Sequence, residues 1–151
     1  MPIPRYSIRT ITEQSLKAWF TANAALLPGT PVVLGQTDSE RSVPIIILHA
    51  ESAAGAKDLG AYWLGNFEIT VKIYIYSSAD DAVTNEQALE DHRARCEAVQ
   101  AIMMDVAGLQ GAWTQGELYM ARFDSDDEGV ADRRYGNIMQ YTLTAVYPPA
   151  A

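Results

Sequence analysis

Gly65-Asn66-Phe67-Glu68-Ile69-Thr70-Val71-Lys72-Ile73-Tyr74-Ile75-Tyr76 is the stretch that decides the fold. Phe67, Ile69, Val71, Ile73 and Ile75 alternate with Glu68, Thr70, Lys72, Tyr74 and Tyr76. Successive side chains of a strand point to opposite faces, so this alternation describes a long strand with one apolar face inward and one mixed face outward. Tyr74 and Tyr76 fall on the mixed face, where solvent or a neighbouring subunit would meet them.

Upstream lies Val43-Pro44-Ile45-Ile46-Ile47-Leu48-His49-Ala50, a second strand. Its unbroken β-branched run predicts that both faces are covered, or one face plus a subunit contact. Pro44 sits at the strand start, where a missing N–H is tolerated. Pro31 to Leu34 is a shorter strand, and residues 35–42 form a polar loop. The residues from Thr10 to Leu27 place Ile11, Leu16, Trp19, Phe20 and Leu26-Leu27 on one helical face, with Thr10 or Thr12 as the cap and Pro28-Gly29 as the stop. Residues 1–8, with Pro2 and Pro4, read as an extended arm. Between the two long strands, residues 52–64 read as a flexible loop that ends in Tyr62-Trp63-Leu64. Tyr62 and Trp63 are of the types that anchor interfaces.

Downstream, Thr84 to Gln87 has the form of a capping box for a helix running to about Val106, closed by Gly108. Its stripe is Leu89, Cys96, Val99, Ile102, Met103 and Val106. Glu117 to Phe123 is a fourth strand, residues 124–132 an acidic loop, and Arg134 to Tyr147 the last strand. The order α-β-β-β-α-β-β predicts a single α+β domain over residues 1–151. Its sheet is mostly antiparallel and twisted, of four to five strands, with two helices packed on one face.

Composition narrows the function. With 19 acidic and 11 basic side chains the net charge is -8, which argues against coating nucleic acid or docking on anionic lipid. No signal-like segment or apolar span is present, so synthesis in the cytoplasm is expected. The one cysteine, Cys96, excludes an internal disulfide and sits where a small buried side chain belongs.

A search for chemistry finds no nucleophile elbow, phosphate loop, dinucleotide turn, CxxC or HExxH pattern. Asp124, Asp126, Glu128 and Gly129 resemble the start of a calcium loop, but Tyr135 stands where its bidentate Glu belongs. No metal, cofactor or catalytic residue is expected. Asp126, Asp127 and Glu128 are read as an electrostatic surface. Arg133 and Arg134 beside them are expected to pair with Asp126 or Asp132. His49 and Glu51, two apart on a strand, are the residues a rival enzyme or ligand-binding reading would use. His92 is expected at the solvent or the core margin.

Several segments together resemble the tail terminator, or tail completion, proteins of long-tailed bacteriophages. They are Val32-Val33-Leu34-Gly35-Gln36, Val43 to Glu51, and Gly65-Asn66 opening the alternating strand that ends in Ser77-Ser78-Ala79-Asp80-Asp81. Leu89 to Val99 on the helix and Arg133-Arg134-Tyr135 entering the last strand complete the pattern. The resemblance spans roughly residues 10–147. It implies a virion protein without an active site, built in the host cytoplasm. Such proteins form a ring, usually a hexamer, that stops tube polymerisation. The ring joins the tail tube protein to the head-tail connector or head-completion protein, and DNA passes through its lumen without sequence-specific binding. The candidate interface is then Tyr62, Trp63, Tyr74, Tyr76, Asp126, Asp127, Glu128, Arg133 and Arg134. Other neck and tail-tube subunits share the pattern.

Overall fold

The long alternating segment becomes β3, Asn66–Ser78, at the centre of a five-stranded sheet. The computed structural model describes residues 7–35, 43–55, 66–79, 85–131 and 133–146. Its elements in chain order are α1 (Ile8–Ala22), a 3-10 turn (Ala24–Leu26), β1 (Val32–Leu34), β2 (Ile45–Gly55) and β3. There follow α2 (Asn85–Met104), α3 (Val106–Ala112), β4 (Glu117–Ala131) and β5 (Arg134–Val146). The sheet order is β1-β2-β3-β5-β4. β1 and β2 are parallel, and the other pairs are antiparallel. The α+β class and mostly antiparallel sheet match expectation.

Register sorts the side chains. Ile73 is opposite Leu48 on one side and Met139 on the other, and Val71 is opposite Ala50 and Tyr141. These residues are buried with Ile46, Ile69, Ile75, Leu143 and Ala145. The helices cover this face: Ile11, Leu16 and Phe20 from α1, and Cys96, Val99, Ile102 and Met103 from α2, enter the same cluster. Apolar area removed from water is the main stabilising term. Ile45 and Ile47 are buried although they lie on the opposite face, opposite Tyr76 and Tyr74. The run Ile45 to Leu48 is thus buried within one chain, the both-faces-covered reading.

Four local expectations need correction. Ser7, not Thr10 or Thr12, caps α1: its Oγ accepts from the Thr10 N–H at 3.2 Å. β2 continues to Gly55, so residues 52–55 are strand and not loop. The helix predicted to run to Val106 breaks at Asp105, whose carboxylate accepts from the Gly108 N–H at 3.1 Å and starts α3. Gly108 therefore begins a turn of helix instead of ending one, and α3 is a third helix. A Cβ at position 108 would stand 2.2 Å from the Trp19 ring, which is itself held by its indole N–H to the Ile102 carbonyl at 2.9 Å. Thr84 lies outside the described residues.

The fourth correction positions the site. The acidic segment is not a loop. β4 continues through Asp124 to Ala131, and from Ser125 to Ala131 it pairs in register with β5 from Gln140 back to Arg134. Asp and Gly are poor strand formers in surveys, but what such scales record is mostly side-chain packing. Here the ladder to β5 holds the segment extended without it.

Candidate assembly surface and the polar chain behind it

The two edges of the sheet differ. β1 is three residues long, and beyond it the free edge of β2 is occupied by α1. Glu13 Oε2 accepts from the Ala50 N–H at 2.8 Å, and Arg9 Nε donates to the Ala50 carbonyl at 2.7 Å. Side chains thus replace the missing strand. β4 forms the other edge with 15 residues, and among the described residues no strand pairs with its outer side. A long unpaired edge presents backbone donors and acceptors to any incoming strand. Large apolar side chains accompany it: Tyr119, Met120, Phe123 and Val130 on β4 and Ile138 on β5 are all exposed. Breaks in register after Leu118 and after Phe123 bend the strand.

The acids of β4 are divided by the pleat. Asp126 and Glu128 are opposite Met139 and Asn137 and face the helices, whereas Asp127 is opposite Ile138 and faces away. Asp126 and Glu128 share a face but are engaged by Asn137 and Arg93, and Asp124 by Thr142; among the described residues no group of three or more His, Cys, Asp or Glu could hold a metal. Glu128 takes a two-pronged contact from Arg93, at 3.0 and 3.3 Å. That hydrogen bond, ahead of a smaller opposing effect of burial, holds the Glu128 carboxyl below its ordinary value. Asp126 accepts from Asn137 Nδ2 at 2.6 Å. Burial pushes Asp124 up, but hydrogen bonds from Thr142 and Arg122 outweigh it and leave the carboxyl below 3.8.

Tyr74 and Tyr76 are half-buried and stacked, with ring centroids 6.5 Å apart. Both lie on the face turned away from the helices, and the Tyr76 ring crosses Gly136. Arg133, with φ 61, forms the β4–β5 turn, and its carbonyl accepts from the Ala79 N–H at 2.9 Å. Arg134 opens β5 opposite Ala131 and Ser78. Asp126 is hydrogen-bonded to Asn137, and the other acid offered as a partner for Arg133 and Arg134 is Asp132. Tyr62, Trp63 and Asp132 lie outside the described residues.

His49 and Glu51 take different partners. A break in register falls between Ala50 and Ser52. Glu51 pairs with Lys72 at 3.1 Å. His49 Nδ1 stands 3.4 Å from Glu13 Oε2, a contact too poorly directed to satisfy the ring nitrogen as a hydrogen bond. No His–carboxylate dyad forms between residues 49 and 51.

His92 is the residue whose place the sequence did not suggest. It is fully buried, on the α2 face carrying Ala88, Cys96, Val99 and Met103. Its spacing of four from Cys96 was the available signal. Arg95 N–H donates to Ser77 Oγ at 3.0 Å, and Ser77 Oγ lies 2.7 Å from His92 Nδ1. His92 Nε2 lies 2.6 Å from Asn137 Oδ1, and Asn137 Nδ2 donates to Asp126. A guanidinium only donates and a carboxylate only accepts, so every bond in this chain has one direction. Asn137 must turn its N–H toward Asp126, which leaves Oδ1 to accept from the imidazole. His92 therefore carries its proton on Nε2, and Nδ1 accepts from the Ser77 hydroxyl. Burial lowers the His92 pKa, against the hydrogen bond to Asn137. Neighbouring Cys96 is buried and its thiol is pushed up to about 12, chiefly by burial. It is a packing residue and not a nucleophile. A cleft of about 310 Å³ between α2 and β4 is lined by Arg93, Cys96, Asp126 and Glu128 among others.

Among the described residues no helix is long and apolar enough to cross a membrane. No family model matches the chain, and no curated protein matches it. Among solved structures, a chain of the virion of a native gene transfer agent particle matches with a TM-score of 0.57 and 17% sequence identity, over 93% of this chain and 95% of that one. At that identity the likeness establishes a shared fold across nearly the full length of both chains.

Proposed function

We propose that this chain is a structural protein of a phage-like virion and not an enzyme. Its finer role, on this reading, is that of a tail terminator. It forms a ring, six subunits in the usual arrangement, at the head-proximal end of a tail tube. There it stops tube polymerisation and meets the head-tail connector. The observation that carries the assembly reading is the open β4 edge with its exposed Tyr119, Phe123 and Val130. The fold shared with a virion chain supports the setting.

On this reading the β4 edge docks on a different surface of the next copy, a head-to-tail contact. Head-to-tail contacts close into rings when the rotation per subunit allows it. The charge of -8 suits a conduit that DNA must traverse without adhering. Tyr74, Tyr76, Asp127, Arg133 and Arg134, together with Tyr62 and Trp63, remain proposed contacts to the next copy, the tube protein or the connector.

Negative-stain imaging of the purified chain, alone and co-expressed with the tube protein of the same virion, tests this reading. Rings, or a cap on tubes of defined length, are expected. A strictly monomeric chain in both preparations would overturn it.

A further inference from the structure

We infer that the hydrogen-bonded chain Arg95–Ser77–His92–Asn137–Asp126, buried at its three middle members, is an acid-operated latch that fastens the β4–β5 arm to α2. The inference concerns this chain alone and stands whether or not the protein assembles. Every link joins a different element: Arg95 and His92 belong to α2, Ser77 to β3, Asn137 to β5 and Asp126 to β4. β4 is exposed along most of its length from Arg122 onward. The described side-chain links from its acidic half to α2 are this chain and the exposed Arg93–Glu128 pair. An exposed pair of that kind contributes little. The chain ends on exposed Asp126, but its Ser77–His92–Asn137 links are buried, and low local dielectric strengthens a satisfied network there.

The fastening works only while His92 is neutral. A proton taken from solvent would occupy Nδ1, where the ring now accepts from Ser77. Ser77 Oγ would then have to accept from both Arg95 and His92, and its own hydrogen would lose its acceptor. Ser77 and His92 are 1% and 0% exposed, so water cannot make good the loss. An unsatisfied buried polar group is costly. The groups facing the ring pull both ways. Asp126 and Glu128 from β4 favour the charged imidazole, while burial and Arg95 from α2 oppose it. Tyr135 from β5 stacks on the ring at 5.6 Å, and Cys96 Sγ lies 3.7 Å from Nε2. Opposition wins, so the latched state prefers neutral His92. Stability of the latch is therefore complete above the ordinary imidazole value of 6.5 and is lost as pH falls below it.

Cys96 is the only thiol and lies against the latch, so it reports opening. The test is the labelling rate of the full chain by 4,4′-dithiodipyridine from pH 7.5 to 5.0, divided into the rate for the unfolded chain at each pH. Protection should fall by up to roughly thirtyfold, the ratio that an imidazole of ordinary pKa imposes over that interval. Amide protection of β3 should stay unchanged. His92→Gln should remove the pH dependence. In the unmodified protein at pH 7.5, ring nitrogen chemical shifts should place the proton on Nε2, a measurement that holds even if the variant fails to fold. Protection flat with pH, β3 opening in parallel, a proton on Nδ1, or a His92→Gln variant that keeps the dependence would each overturn the latch.

Discussion

Replacing Tyr119 and Val130 together by threonine should weaken assembly while leaving the monomer intact. The two side chains are 50% and 64% exposed, so in the isolated chain each keeps about half or more of its surface in water. A tyrosine side chain offers on the order of 200 Å², so about 100 Å² is left for a partner to cover. At about 25 cal/mol per Å² that area is worth about 2.5 kcal/mol, and the exposed part of a valine adds about 1 kcal/mol. These are ceilings, since ordering and imperfect desolvation consume part of any interface energy. A loss of about 1.5–3 kcal/mol per contact is expected, which raises the dissociation constant by roughly 10–100-fold. Threonine is β-branched and keeps the strand, and surface changes of this kind shift monomer stability by about 0.5 kcal/mol or less. Sedimentation velocity over a concentration range reads the association, and thermal melting at monomeric concentrations reads the fold. Association unchanged from the parent would refute the reasoning. So would a melting temperature lower by more than about 6 °C, which would mean that the two side chains belong to the core.

Gly108→Ala should destabilise by about 2 kcal/mol: overpacking against the anchored Trp19 ring, 2.2 Å away, outweighs the gain in helix propensity. Trp19→Phe in the same chain should erase most of that penalty, and a chemical-denaturation cycle with additive effects would count against the contact. Asp126→Ala should lower the melting temperature, because it removes the acceptor for Asn137 Nδ2, whereas Asp127→Ala, on the other face of β4, should leave it unchanged and alter only the salt dependence of assembly. Equal effects of the two changes would show that the pleat assignment is wrong. Asp124 is held below its ordinary 3.8, so its stabilisation is present above that pH and disappears as pH falls further; Asp124→Asn should flatten this part of an acid-unfolding curve, and an unaltered curve would remove Asp124 from the account.

How much of this was legible depended on how much of each segment is buried. β3 was readable residue by residue, because one face is wholly in the core and the period of two survives in the sequence. β2 was readable as a run because both of its faces are covered between Ile45 and Leu48. The outer half of β4 was not, because both its faces meet water. No apolar alternation marks it, and only the β5 ladder keeps it extended. His92 was misplaced for the opposite reason. A histidine in a charged helix usually reads as surface, and its partners come from positions 77 and 137, which no local pattern connects. His49 and Glu51, the residues of the rival reading, take different partners, Glu13 and Lys72, and the Glu13 contact comes from α1, which no local strand pattern reveals.

The central claim is that β4 is where this chain meets its neighbour. Amide hydrogen exchange, resolved along residues 117–131 in monomeric and assembled fractions of the same preparation, tests it most directly. Outward-facing β4 amides, open in the monomer, should become protected in the assembly while β3 and β5 amides keep the protection they already had. Assemblies in which β4 exchanges as fast as in the monomer would contradict it.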